Sequence, residues 1–107
     1  MTEFDQYRVE MVHTPLKEIL GSDYVYFEPP TGFKLSYPCI IYELNRIDKV
    51  NADDKKYLKR YVWSITVIDN DANTDLPDKI LDLPYCTLSQ RFVNERLVHN
   101  VFTLYTT

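Results

Sequence analysis

The residue types able to do chemistry are few in this chain, and their spacing suits none of the common reactions. The two histidines, His13 and His99, stand far apart, one in the N-terminal segment and one within an alternating apolar–polar run. Zinc takes three or four closely arranged ligands, and Cys39, Cys86 and His99 do not fall into such a pattern. Neither thiol lies at a helix N-terminus or beside a fixed base, the settings that make a cysteine nucleophilic. Asp69, Asp71, Asp75 and Asp78 gather around one loop and suggest a cation site at first sight. An EF-hand loop counted from Asp69 needs Gly at its sixth place and Glu at its twelfth, where this chain has Thr74 and Ile80. These acids read instead as a solvated loop leading to a helix cap. Only two glycines are present, so there is no glycine-rich phosphate cradle. The residues point to a protein that is not an enzyme, with no catalytic, metal or cofactor site.

What the chain has in excess is aromatic surface: nine Tyr, five Phe and one Trp in 107 residues. A domain of this length builds one modest core. It cannot easily bury so many rings, and some belong at interfaces. Tyr24, Tyr26, Phe27, Phe33, Tyr37 and Tyr42 crowd around Glu28-Pro29-Pro30-Thr31-Gly32. The two prolines remove backbone donors and force extended geometry, so that loop is stiff.

Charge adds a second cue. The net charge is −4, which disfavours a primary grip on nucleic-acid phosphates. Lys56-Tyr57-Leu58-Lys59-Arg60-Tyr61 nevertheless interleaves bases with aromatics, as a strip that stacks single-stranded bases would. Residues 1–54 hold ten acids and five bases, whereas residues 55–107 hold six acids and seven bases. The basic run Lys55-Lys56-Tyr57-Leu58-Lys59-Arg60 directly follows Asp53-Asp54. Such polarity suits head-to-tail contact between copies or docking onto a charged partner. Solvated charge at a hairpin tip is the alternative.

The elements that must position these residues follow from periodicity. Val9, Val12, Leu16, Ile19 and Leu20 recur at helical spacing. Thr14 suits a cap, Pro15 the first helical position and Gly21 the left-handed position past the end, so an earlier helix meets Pro15 with a kink. Tyr24–Phe27 is a short strand. From Pro38 to Val50, Ile40, Tyr42 and Leu44 share one face while Ile41 and Glu43 share the other. Asn51 to Lys55 is a turn, and Tyr57–Asp69 is a second long strand with Tyr61, Trp63, Ile65 and Val67 on one side. Asp75 caps a short helix with Leu76, Ile80, Leu81 and Leu83 on its buried side, stopped by Pro84. A last hairpin runs from Tyr85 to Asn94 and from Leu97 to Tyr105, with Phe102 and Leu104 on one face. The expected fold is one α+β domain over residues 1–107: an antiparallel sheet of about four to five strands with helices packed on it, in the order α-β-β-β-α-β-β.

No apolar run of the ~18 residues that would cross a membrane is present. Acidic Met1-Thr2-Glu3-Phe4-Asp5 does not resemble a signal peptide. A reducing cytoplasm is the expected site of synthesis, with Cys39 and Cys86 as buried free thiols, although both begin strands and a facing pair stays open.

The segments Val25-Tyr26-Phe27-Glu28-Pro29-Pro30 and Tyr37-Pro38-Cys39-Ile40-Ile41-Tyr42-Glu43 resemble small neck and tail proteins of long-tailed bacteriophages. So do Thr66-Val67-Ile68-Asp69, the helix from Leu76-Pro77-Asp78, and Arg91-Phe92 with Leu97-Val98-His99-Asn100-Val101-Phe102. The chain is most similar to the tail terminator family, also called minor tail or tail-completion proteins. That resemblance implies a virion protein of the tail or neck, assembled in the bacterial host cytoplasm. Its subunits would form a hexameric ring that caps the tail tube, stops tube polymerisation and meets the head-completion proteins. DNA would pass through the lumen without specific binding. Within this frame, the loop residues Glu28, Pro29, Pro30, Phe33 and Lys34 and the hairpin residues Asp53, Asp54, Lys55, Lys56, Lys59 and Arg60 are the expected contacts with other subunits or the tube. The alternatives are another neck component, such as a head-completion or connector protein, and a small nucleic-acid-binding protein.

Overall fold

A computed structural model describes residues 2–51 and 57–107; Asp53, Asp54, Lys55 and Lys56 lie outside the described residues. The N-terminal helix begins at a capping box. Thr2 Oγ1 accepts from the Asp5 N–H at 3.1 Å, and the Thr2 N–H donates to the Asp5 carboxylate at 3.4 Å. From there α1 (Glu3–Arg8), a π-helical turn (Val9–His13) and α2 (Thr14–Leu20) run on without a break, the junction residues all keeping right-handed helical angles. The expected cap at Thr14 is therefore corrected: Thr14 lies inside the helix. Proline explains the difference. Pro15 has no N–H to donate, and its ring crowds the carbonyl four residues back. The backbone widens to accommodate it, and the Thr14 N–H reaches the Val9 carbonyl, one residue beyond an α-helical bond. Gly21 ends the helix as expected, in the left-handed region at φ 78°, with its N–H on the Lys17 carbonyl at 2.9 Å.

Among the described residues, one sheet holds five strands in the order β1-β2-β3-β5-β4: β1 (Val25–Phe27), β2 (Cys39–Asn51), β3 (Tyr57–Asp69), β4 (Cys86–Asn94) and β5 (Leu97–Thr106). With α3 (Leu76–Leu81) between β3 and β4, the α+β order matches the expectation. The sheet is antiparallel except at one edge, where β1 runs parallel to β2, with Val25 beside Ile40 and Phe27 beside Tyr42. A parallel neighbour needs a return path longer than a tight hairpin, and the segment between Phe27 and Cys39 supplies it.

The alternation read from the sequence builds the core. Ile40, Tyr42, Trp63, Ile65, Val67, Phe102 and Leu104 pack in one cluster with Val12 and Leu16 of the helix and with Leu76 and Ile80 of α3. Alternate residues of β5 are buried along its whole length, whereas β4 is exposed from Thr87 to Asn94. The acidic loop satisfies its own backbone: Asp69 accepts from the Asp71 N–H and Asp71 from the Asn73 N–H, both at 2.9 Å. Asp75 makes no capping bond, and Thr74 Oγ1 accepts from the Leu76 N–H at 3.4 Å in its place.

A hydroxyl near the end of β5 ties helix to sheet. Thr106 Oγ1 accepts from Trp63 Nε1 at 3.0 Å and from the Tyr7 hydroxyl at 2.7 Å. Thr106→Val keeps the shape but leaves both donors without an acceptor, a loss of about 1–3 kcal/mol. Urea unfolding is expected to show that loss, and Thr106→Ser to retain most of the stability.

Candidate functional site

β2 and β3 are 13 residues each, but their outer neighbours stop early. β5 pairs with β3 only from Tyr61 to Asp69, and β1 with β2 only from Ile40 to Tyr42. Past the Ile47–Tyr61 pair, the two strands continue alone as a two-stranded arm, with Asp48 opposite Arg60 and Lys49 opposite Lys59. The molecule accordingly measures 52 Å along its longest axis against 28 and 24 Å across it. A register shift between Leu44 and Arg46 leaves Asn45 as a bulge where the arm leaves the body, a feature that sharpens local twist.

Charge braces this arm. Asp48 accepts from Arg60 Nη2 at 3.0 Å and from Arg46 Nε at 3.1 Å, and the Arg60 guanidinium lies 5.3 Å from the centre of the Tyr105 ring. The bond from Arg60 leads in holding the Asp48 carboxyl below its ordinary range, with Arg46 adding to it. Apolar side chains are left outside: Ile47 is 50% exposed and Leu58 58% exposed. Tyr61, by contrast, packs inward against Tyr7 at 4.7 Å and beside Trp63 at 6.2 Å. The basic strip read as a base-stacking surface therefore loses Tyr61 to the core.

The expected loop contacts form a separate patch. Glu28 turns the chain in the left-handed region at φ 44°, and its N–H donates to the Tyr42 carbonyl at 3.0 Å. Pro30 accepts from the Phe33 N–H at 3.1 Å, and the exposed Phe33 ring meets Tyr26 edge-on at 5.0 Å. Glu28, Pro30 and Lys34 are exposed and Pro29 half-buried. Tyr24 and Tyr37 are also exposed, while Tyr42 is fully buried and Phe27 packs on the core, so the six rings around the loop divide between surface and interior. Lys59 and Arg60 are exposed on the arm, apart from this loop.

Two features escaped the sequence reading. The first is the outer edge of β4, which has no strand beside it among the described residues and bears Leu88, Phe92 and Val93, the last 67% exposed. Long apolar edges of this kind invite pairing with another chain. The second is a polar cluster under the helix. The Tyr42 hydroxyl accepts from Arg8 Nη1 at 2.5 Å and lies 2.7 Å from His13 Nδ1, while the Arg8 guanidinium stacks 4.5 Å over the Phe27 ring. A guanidinium only donates, so the Tyr42 oxygen accepts from Arg8, and the direction of its bond with His13 Nδ1 follows the imidazole tautomer. Burial, then the charges of Arg8 and Lys17, pull His13 below the ordinary imidazole value. Burial raises the Tyr42 phenol, against a smaller opposing effect of Arg8.

The cysteines are both free. Cys86 packs on the helix-side core, while Cys39 neighbours the inward-facing Ile40 and so points to the opposite face, which closes the alternative of a facing pair. Burial lifts both thiols to about 11, with Asp69 adding to the effect at Cys39. Among the described residues, no group of three or more His, Cys, Asp and Glu could hold a metal ion, and no helix is long and apolar enough to cross a membrane.

No protein-family profile and no curated protein sequence matches the chain. Among solved structures, a chain described as "Virion of native gene transfer agent (GTA) particle" is similar at a TM-score of 0.38 and 16% identity, over 95% of this chain and 89% of that one. A likeness of that size carries no argument about role.

Two outcomes follow from these buried groups. Folded His13 holds a proton less readily than unfolded His13, so the unfolded chain takes up more protons as pH falls below about 6.5. The stability tied to neutral His13 is complete above that pH and is lost as pH drops through the folded value. The thermal midpoint is expected to fall between about pH 7.5 and about pH 5, and His13→Gln to flatten that part of the profile. In a thiol-labelling assay at about pH 8, Cys39 is expected to stay unmodified in the native chain and to react fully once the chain is unfolded.

Proposed function

We propose that this chain is a structural subunit of a bacteriophage-type virion, a tail terminator whose copies close into a hexameric ring on the end of the tail tube. The ring stops tube polymerisation and presents the joint to the head-completion proteins. DNA passes through its lumen without specific binding, in keeping with the net charge of −4. The role is structural and asks for no catalytic residue, cofactor or metal.

The observation that carries this reading is the arm. A two-stranded ribbon standing alone is marginal in water, and exposed large aliphatics on it mark a surface that a partner covers. A closed ring repeats one head-to-tail contact, so each subunit needs two different complementary surfaces. The projecting arm supplies one, and the rest of the body, with its open β4 edge, supplies the other. The Tyr37–Glu43 segment, which resembles tail terminators, supports the same assignment.

Polymerising the tail-tube protein of the cognate phage with and without this chain, and measuring tube length by electron microscopy, tests the proposal. Short tubes of uniform length, or tubes bearing a terminal ring, are the expected result. Lengths unchanged by a molar excess of the chain would overturn termination and favour a component on the head side of the neck, with portal binding as its signature.

A further inference from the structure

The sheet face opposite the helices carries an aromatic patch beside β1. Ile40 and Tyr42 point into the helix-side core, so Ile41 between them points the other way, as does Tyr26, its partner in the ladder. The proline loop folds back over this face, where the Phe33 ring meets Tyr26 edge-on at 5.0 Å. Tyr24, two residues before Tyr26 in the chain, adds another open ring on the same side. Tyr24 is 41% and Phe33 45% exposed, so both keep apolar area for a partner to cover. Pro29 and Pro30 already hold the loop stiff, which keeps the entropy cost of covering it low.

The same patch carries charge of both signs that the chain itself does not pair. The Glu28 N–H donates to the Tyr42 carbonyl, which sets Glu28 beside Tyr42 and Glu43. Both carboxylates are exposed, and neither has a hydrogen-bond or ion-pair partner among the described residues. Lys34 directly follows Phe33, and it too is exposed and without a partner among the described residues. A patch that holds unpaired acids, an unpaired base and open rings is complementary to itself, which is what a two-fold contact requires.

We infer that this patch docks a second copy of the chain by a two-fold contact. Tyr24 and Phe33 of each copy cover those of the other, and Lys34 of each copy meets Glu28 and Glu43 of the other. A contact that uses one patch twice is distinct from the head-to-tail contact of the proposed ring. It therefore pairs two copies whether or not a ring closes.

Charge exchange tests it, with sedimentation velocity of the full chain reporting the dissociation constant of the pair. Lys34→Glu is expected to raise that constant about tenfold or more, because it sets like charges against each other twice in every pair. Adding Glu28→Lys and Glu43→Lys to the same chain reverses both signs and is expected to restore the constant to within about threefold of the unaltered protein. Phe33→Ala, with the charges untouched, is expected to weaken the pair about tenfold. Matching thermal midpoints confirm that each variant is folded. The two-fold contact is overturned by an unaltered chain that stays monomeric at its highest soluble concentration, by a Lys34→Glu variant that pairs as tightly, or by a triple variant that does not recover. None of these results touches tube termination, and unchanged tube lengths leave the two-fold contact standing.

Discussion

The indole of Trp63 ties the layers of this molecule together. It is fully buried at the middle of the central strand, and four aromatic rings surround it at centroid distances of 6.1 to 6.2 Å: Phe4 from the helix, Phe27 from β1, Tyr42 from β2 and Tyr61 from its own strand. Its N–H reaches Thr106 on β5, so one side chain spans helix, sheet edge and sheet centre. Removing a buried Trp side chain typically costs about 3–5 kcal/mol. An ion pair such as Lys17–Asp23 lies exposed, where water and salt screen it. The aromatic cluster therefore decides how the helix sits, and the surface charges are free to serve other ends.

The helix position in turn depends on how the chain accommodates Pro15. Residues five apart point about 140° away from each other around a regular α-helix. Arg8 and His13 are five apart, yet both reach the Tyr42 phenol, because the widened turn between them changes their relative direction. A buried guanidinium is costly unless its donors find acceptors and its plane finds a ring. Tyr42 supplies an acceptor for Nη1, Asp5 lies 4.0 Å from Nη2 and Phe27 supplies the ring, while Nε is left without a partner among the described residues. The proline that breaks the regular helix thus sets the geometry that makes a charged group tolerable beneath it.

Much of this fold was legible in the sequence for simple reasons. Long alternating runs fix strand existence and facing, and Gly21 could only end a helix. The rest depended on information that no local window holds. Thr2-Glu3-Phe4-Asp5 carries a capping box, but the boundary signals at Thr14-Pro15 compete with it, and only tertiary packing decides between them. The direction of a three-residue strand such as β1 is set by where its neighbour lies. Part of the candidate surface was legible too, since Phe33, Lys34, Lys59 and Arg60 are exposed. Tyr42 shows which signal wins: its alternation with Ile40 and Leu44 put it on the apolar face, where it is buried, and that periodicity outweighs its nearness to a surface loop. A cleft lined by Met11, Tyr85 and Leu104 was invisible, because it joins residues from near both ends of the chain.

The two sheet edges show how the fold divides what is finished from what is left open. β1 is three residues long and is followed by Pro29 and Pro30, a short edge that offers little to a passing strand. β4 is nine residues long and exposed on both faces after Cys86, interrupted by a register shift between Leu88 and Gln90 and by the charge of Arg91. The arm is a second, different surface: its exposed Ile47 and Leu58 stand beside Asp48, whose charge is matched by Arg46 and Arg60 of the same chain. A contact between two different surfaces of one rigid body has a direction. Direction is what separates a closed ring from a disordered cluster.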